Sequence, residues 1–201
     1  MLKIYHAPNT RSLRVIWLCE ELELPYEVIP VDFSAEYRAS PEWRAMHPAG
    51  KVPVLTDGAL TMFESGAMVQ YVLDRYGEGR LQPAVGTAEH AIYLQWSWFA
   101  ESTLARPLGE IVNHGREFPG EARIPAVVLE MQNRATVCLQ AVAQATQGQS
   151  YLLGESFSAA DVMMGYSLML AQLLIPDRIP EPLLPYWQVL QARPAYLRAF
   201  A

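Results

Sequence analysis

An α/β layer followed by an all-helical half is the architecture this sequence predicts, and three observations predict it. The first 77 residues alternate short β-like runs with amphipathic helical stripes, the sequence form of an α/β layer. A run of turn residues, Gly77-Glu78-Gly79-Arg80 through Pro83 and Gly86, then breaks all periodicity. Beyond it the apolar residues recur only at helical spacing. The expected organisation is therefore a domain over 1–77, a linker over 78–87 and a helical domain over 88–201.

Within the first half, Leu2–Tyr5 reads as a strand. Val15, Leu18, Cys19 and Leu22 follow at i, i+3, i+4 and i+7, one buried face of a helix from Ser12 to about Glu23 that Pro25 closes. Tyr26–Val31 is a second strand and Pro41–Met46 a short helical piece. Val52–Thr56 and Leu60–Phe63 flank Asp57-Gly58, a strong hairpin signal, so these two strands are antiparallel neighbours. Val69, Val72, Leu73 and Tyr76 mark a further helix over Glu64–Tyr76. The order is βαβ, then ββα.

In the second half, Ala88 to about Ile111 is helix-like, with Pro107 expected to bend or cap it. Ile124, Val127, Val128, Met131, Ala135, Cys138, Leu139 and Val142 keep helical period over five turns. Val162, Tyr166, Met169, Leu170 and Leu173 describe another helix, ended by Pro176. Before it, Ser158 and Asp161 have the spacing of a capping box, with Phe157 and Val162 as the hydrophobic staple, which gives both polar residues a structural role.

Composition narrows the function. With 51% hydrophobic and 18% charged residues the chain has the means to fold around a core. A net charge of −6 argues against nucleic acid, whose phosphates need a positive field. No apolar run reaches the length of a signal peptide or membrane span, so a soluble cytoplasmic protein without membrane contact is expected. The four histidines and two cysteines show no metal-ligand spacing, and no metal is expected. Gly-rich phosphate motifs are absent. Cys19 and Cys138 sit in apolar stripes and read as inert core thiols.

Three segments can carry chemistry. The turn from the first strand into the first helix, Ala7-Pro8-Asn9-Thr10-Arg11-Ser12, holds an amide and two hydroxyls but no protein thiol or histidine base. Asn9, Thr10 and Ser12 suit the stabilisation of a thiolate brought by another molecule, since donors aimed at S⁻ lower a thiol pKa from about 8.5. Ser12 could equally serve only as a helix cap. In Lys51-Val52-Pro53, a proline just inside an apolar strand is tolerated at an edge or strand start, and a cis Val52-Pro53 bond would reconcile it with the strand and offer the Val52 backbone to an extended peptide. Lys51 beside it suits a carboxylate. Glu64-Ser65 opens a helix, so Ser65 and the adjacent N–H groups form a seat for a carboxylate and Glu64 one for an ammonium group. A short peptide with a central thiol would satisfy all three.

These residues carry a resemblance to the cytosolic glutathione S-transferases over the whole chain. Tyr5-His6-Ala7-Pro8-Asn9-Thr10-Arg11-Ser12, His47-Pro48-Ala49-Gly50-Lys51-Val52-Pro53-Val54-Leu55 and Glu64-Ser65 resemble the family's N-terminal thioredoxin-like domain, and Ser158-Ala159-Ala160-Asp161 its helical domain. The resemblance implies glutathione as co-substrate: Val52 pairing with the cysteinyl backbone, Pro53 cis, Lys51 near the glycyl carboxylate, and Glu64 and Ser65 at the γ-glutamyl end. It further implies a homodimer and a second substrate that is a small apolar electrophile or a peroxide. Trp96, Trp98, Phe99 and Glu101–Arg106 lie on the helix that in the family faces the thiol; Glu101 is either a contact to a neighbouring glutathione or a surface charge.

The family's thiol-activating position is Tyr, Ser or Cys by class. Here the theta-like serine position aligns with Asn9, while another transferase branch carries a hydroxyl where Thr10 stands. Asn or Thr in this loop resembles branches that reduce disulfides or peroxides. Tyr5, inside a predicted strand, reads as core. The expectation is a glutathione transferase, with glutathione-dependent peroxidase or disulfide reductase activity as one alternative and a non-catalytic interaction protein as the other.

Overall fold

The computed structural model describes residues 1–201, which divide into two compact units: residues 1–81 together with 193–201, and residues 82–192. The helical domain expected over 88–201 is thus split, because its last nine residues group with the first unit.

The first unit is a four-stranded sheet of order β2-β1-β3-β4, from β1 (Leu2–His6), β2 (Tyr26–Pro30), β3 (Val54–Asp57) and β4 (Leu60–Phe63). β1 runs parallel to β2 and antiparallel to β3, which pairs antiparallel with β4. The hairpin turns at Gly58, whose φ of +59° is open to glycine at little cost. β3 begins two residues later than the sequence predicts, leaving Val52 and Pro53 outside the ladder. Helix α1 (Ser12–Glu21) and α4 (Ser65–Tyr76) pack together, and the predicted stripe Val15, Leu18, Cys19, Leu22 is buried together with Val69, Val72 and Leu73. Helix α3 (Pro41–Met46) has its predicted bounds, capped by the Ser40 hydroxyl on the Trp43 N–H. The preceding α2 (Ala35–Ala39), capped by Ser34, is five residues long and too short to register as a periodic stripe.

The last residues close the unit. Helix α10 (Pro194–Ala199) lies on α1, where Arg193 grips Glu21 with two hydrogen bonds of 2.6 and 2.7 Å. Tyr196 meets Trp17 edge-on at 5.0 Å. Trp17, absent from the predicted stripe, is fully buried by this contact and donates to Glu21 at 2.8 Å.

The second unit is helical: α5 (Ala88–Trp98), α6 (Ala105–Glu117), α7 (Pro125–Ala145), α8 (Ala159–Leu174) and α9 (Leu184–Gln191). The irregularity expected at Pro107 is a π-helical stretch, Phe99–Leu104, directly before α6. Pro107 has no N–H for the Thr103 carbonyl one turn back; that carbonyl accepts from the Cys138 thiol at 3.7 Å. Along α7 Val128, Ala135, Cys138, Leu139 and Val142 bury as predicted and Met131 is half-buried, but Ile124 and Val127 are exposed, since they fall at its start beyond the packed face. On α8 Leu173 is likewise exposed; the buried face runs through Val162, Met164, Tyr166 and Leu168. No helix is long and apolar enough to cross a membrane.

The capping box at Ser158 forms, and it reaches further than its sequence spacing indicates. Asp161, fully buried, accepts from the Ser158 N–H at 2.9 Å, the Ser158 hydroxyl at 3.1 Å, the Leu152 N–H at 2.9 Å and the Tyr186 hydroxyl at 3.0 Å. One carboxylate therefore ties α8, the preceding turn and α9. Burial pushes its pKa up against the pull of these donors. Asp161→Ala leaves four buried donors without their acceptor, so chemical denaturation should show a loss of about 3 kcal/mol or more. An unchanged midpoint would show that the hub is dispensable.

Candidate functional site

The sheet register gathers three separate segments. Tyr5 lies opposite Val54, and Val54 opposite Phe63, so these residues form one row across β1, β3 and β4. Just beyond that row the chain continues as His6-Ala7 from β1, leaves Val52-Pro53 before β3, and enters Glu64-Ser65 after β4. The turn Ala7–Ser12, the Lys51–Pro53 segment and the start of α4 therefore share one end of the sheet. Tyr5 packs on Trp43 at 6.0 Å in a buried cluster with Ala7, Val52 and Val54, which gives it the core role the sequence indicates.

The turn into α1 is organised by hydroxyls. Asn9 stands at φ +60°, a conformation asparagine adopts more readily than most residues, and is exposed at the tip. The Thr10 N–H and hydroxyl both return to the Ala7 carbonyl, at 3.3 and 2.7 Å. Ser12 is fully buried, and its oxygen lies 2.7 Å from Thr10 Oγ1 and 2.7 Å from His6 Nδ1. Reading Ser12 as a simple helix cap does not hold: it sits in the first turn of α1, Arg11 occupies the N-cap position, and no side chain caps that end. The hydroxyl turns to its side-chain neighbours because the fold places two of them within reach.

The Val52–Pro53 bond is cis. Gly50 before it adopts φ +59°, and a Cβ there would stand 2.4 Å from the Arg38 carbonyl, so the close approach of α2 to this corner requires glycine. Lys51 is exposed while Val52 and Pro53 are buried, so an exposed cation stands beside buried backbone.

At α4, Glu64 occupies the N-cap position with φ +74°, a strained choice for a residue with a side chain. Ser65 is buried and its oxygen accepts from Arg14 Nη1 at 3.2 Å. That bond occupies a lone pair and leaves the Ser65 proton to donate elsewhere. Arg14 is itself fully buried in α1, so a guanidinium lies beneath a helix N-terminus and the two positive fields add. This is a strong seat for a carboxylate.

His47, 4% exposed, stacks on Phe63 at 4.9 Å, and its Nδ1 has no hydrogen-bond partner. Burial depresses its pKa, with Glu64 opposing and Lys51 reinforcing the effect. His6 is depressed by burial alone. No three His, Cys, Asp or Glu side chains converge.

The match to known proteins runs along the same segments. The model of the glutathione S-transferase N-terminal domain fits residues 1–74. Glutathione S-transferase 4 of Zea mays is 31% identical over 192 residues, covering 90% of this chain and 83% of the relative. The chain belongs to the glutathione S-transferase family. A disulfide-bond oxidoreductase of Escherichia coli, YfcG, is 28% identical over 169 residues, covering 81% of this chain and 76% of its own. The theta class glutathione S-transferase of Xanthomonas axonopodis pv. citri, solved with glutathione bound, superposes with a TM-score of 0.84 at 29% identity over 99% of this chain and 96% of that one.

Within this glutathione S-transferase fold the sequence reading missed His6 and Arg14. His6 closes β1 six residues before Ser12, a strand-to-helix spacing too irregular to be read as a pair. Arg14 lies inside an apolar helical stripe, and an arginine on that face was itself the available signal, since burying a charge there demands a purpose. In the second unit Trp98 is 61% exposed, while Trp96 meets Phe99 edge-on at 5.3 Å; the two aromatics do not share a core role.

Because His6 and His47 hold fewer protons folded than unfolded just below pH 6.5, stability should be full above that pH and fall as acid is added, before the carboxylates titrate. Thermal midpoints measured against pH check this. A His6→Asn, His47→Asn double variant should flatten the slope, and an unaltered slope would assign it to other groups.

Proposed function

We propose that the chain binds glutathione at this end of the sheet and activates its thiol for addition to small apolar electrophiles. The observation that carries the reading is the register itself, which sets a hydroxyl-lined turn, a backbone edge beside a lysine, and a serine over a buried arginine at a helix N-terminus within one corner. Each suits one part of a γ-glutamyl-cysteinyl-glycine: Ser65 the γ-glutamyl carboxylate and Glu64 its ammonium, Val52 the cysteinyl backbone, Lys51 the glycyl carboxylate.

The chemistry needs little beyond positioning. The sulfur comes from the ligand, because burial pushes the Cys19 thiol up to about 12 and raises that of Cys138 as well. Donors in the Asn9–Ser12 turn stabilise the thiolate, the thiol proton leaves to solvent, and a nucleophile held beside its acceptor gains from proximity. Two-fold dimers and a cytoplasmic location are part of the same family-based reading.

A second reading, reduction of disulfides, is favoured by the Escherichia coli oxidoreductase among the relatives. The electrons would then come from two glutathione molecules, oxidised together to glutathione disulfide as the substrate disulfide becomes two thiols.

Calorimetric titration with glutathione tests binding, and the absence of heat at millimolar ligand would leave an interaction protein. Lys51→Ala, which removes an exposed charge, should weaken binding about three- to fivefold. Ser65→Ala, at the buried seat, should weaken it roughly tenfold. No loss in either variant would displace the ligand from this corner. Parallel rates with a chlorinated aromatic, an organic hydroperoxide and a mixed disulfide then choose between conjugation and reduction.

A further inference from the structure

The hydrogen bonds at the β1–α1 turn admit one proton order. The Ala7 carbonyl can only accept, so the Thr10 hydroxyl proton, 2.7 Å away, belongs to that bond. Thr10 Oγ1 then offers only lone pairs to Ser12 Oγ at 2.7 Å, and the Ser12 proton must point to Thr10. Ser12 Oγ in turn offers only lone pairs to His6 Nδ1 at 2.7 Å, which fixes the proton on that nitrogen. Every donor in the row runs from His6 through Ser12 to Thr10.

Ser12 is fully buried and closed at both sides, whereas Thr10 is partly exposed. We propose that His6 is a positioning residue which, through Ser12, holds the Thr10 hydroxyl as the donor to the glutathione thiolate. The inference rests on the functional reading above and names the group within the Asn9, Thr10, Ser12 set that meets sulfur. When the thiolate arrives, the Thr10 O–H turns from the Ala7 carbonyl to the sulfur while still accepting from Ser12. A hydroxyl that accepts a hydrogen bond donates more strongly, so the row raises the donor strength of Thr10. Without a donor at the His6 position, Ser12 Oγ is no longer polarised by an accepted hydrogen bond, and its support of Thr10 weakens.

The surroundings of His6 keep this order independent of charge. β2 sets Pro30 opposite it, α1 supplies Ser12, and no charged side chain perturbs its titration. The Nδ1 proton is present in the imidazolium and in this neutral tautomer alike.

The test is the pKa of glutathione bound to the full chain, read from thiolate ultraviolet absorbance against pH, with calorimetric affinity and thermal midpoint measured on every variant. The wild-type protein should lower the thiol pKa from about 8.5. Thr10→Val should abolish most of that shift. His6→Phe and Ser12→Ala should each reduce the thiolate fraction at neutral pH roughly three- to tenfold, leave glutathione affinity within about twofold, and show no further loss when combined. His6→Asn, whose amide can donate from the Nδ1 position, should restore the wild-type value. A wild-type protein that leaves the thiol pKa unchanged overturns the functional reading. A wild-type shift that survives His6→Phe, or additive His6 and Ser12 losses, overturns this inference alone. Should His6→Phe fail to fold, Ser12→Ala breaks the same row, and a thiol pKa still as low as the wild-type value in that variant also overturns it.

Discussion

The antiparallel register of β1 on β3 and β3 on β4 is the constraint on which the site depends. Tyr5, Val54 and Phe63 share one row, and three segments separate in sequence meet just past it only in that register. Side chains alternate across a sheet, so a slip of one residue would exchange the faces to which the buried Val54 and Leu55 point and carry Val52 away from the β1 turn. Burial of Ile4, Val54 and Leu55 at no measurable exposure holds the register. The tight turn at Gly58 fixes the β3–β4 half of it, and the buried contacts of α1 with α4 fix the layer beneath.

On that frame the electrostatics are local and opposed to the charge of the molecule. The chain carries a net charge of −6, yet at the start of α4 a buried guanidinium, a helix N-terminus and a serine proton all favour an anion. Burial makes the arrangement effective, because Arg14 is not screened by water as Lys51 is. Ser65 mediates between the two worlds. Its oxygen accepts from the arginine and its own proton is left to donate, which would convert a buried positive charge into a directional contact. Glu64 accepts a positive φ to stand at this junction, the form of local strain that surrounding structure tolerates where a side chain must be aimed.

Much of this was legible in the sequence, for physical reasons that vary by residue. Val15, Leu18, Cys19 and Leu22 were readable because a single helix face obeys one period, and Leu60–Phe63 because a turn of fixed chemistry precedes it. Trp17 was not, since its burial depends on Tyr196, almost the whole chain away, and no local period encodes that contact. Asp161 was read as a cap, which is its local half; Leu152 and Tyr186 are tertiary partners invisible to spacing. Ser12 illustrates the limit most clearly. Its sequence position fits a helix cap, but the fold supplies His6 and Thr10 at 2.7 Å, and side-chain partners won over the backbone.

The proposed reliance on a guest sulfur fits the same packing. Cys19 lies on the α1 face that the sheet requires to be apolar, and burial lifts its pKa to about 12, far from any useful thiolate fraction at neutral pH. A reactive cysteine in the Asn9–Ser12 turn would have needed the donors that this turn already directs along its hydroxyl row. Neutral donors carry an advantage here: they stabilise a thiolate without forming an ion pair that would have to be broken as the negative charge leaves sulfur in the reaction. They also demand stricter geometry, because a dipole loses its effect with misalignment sooner than a charge does with distance. In the proposed row the buried Ser12 and the His6 proton supply that geometry, which would place the burden of the chemistry on two residues that sit behind the site's exposed surface.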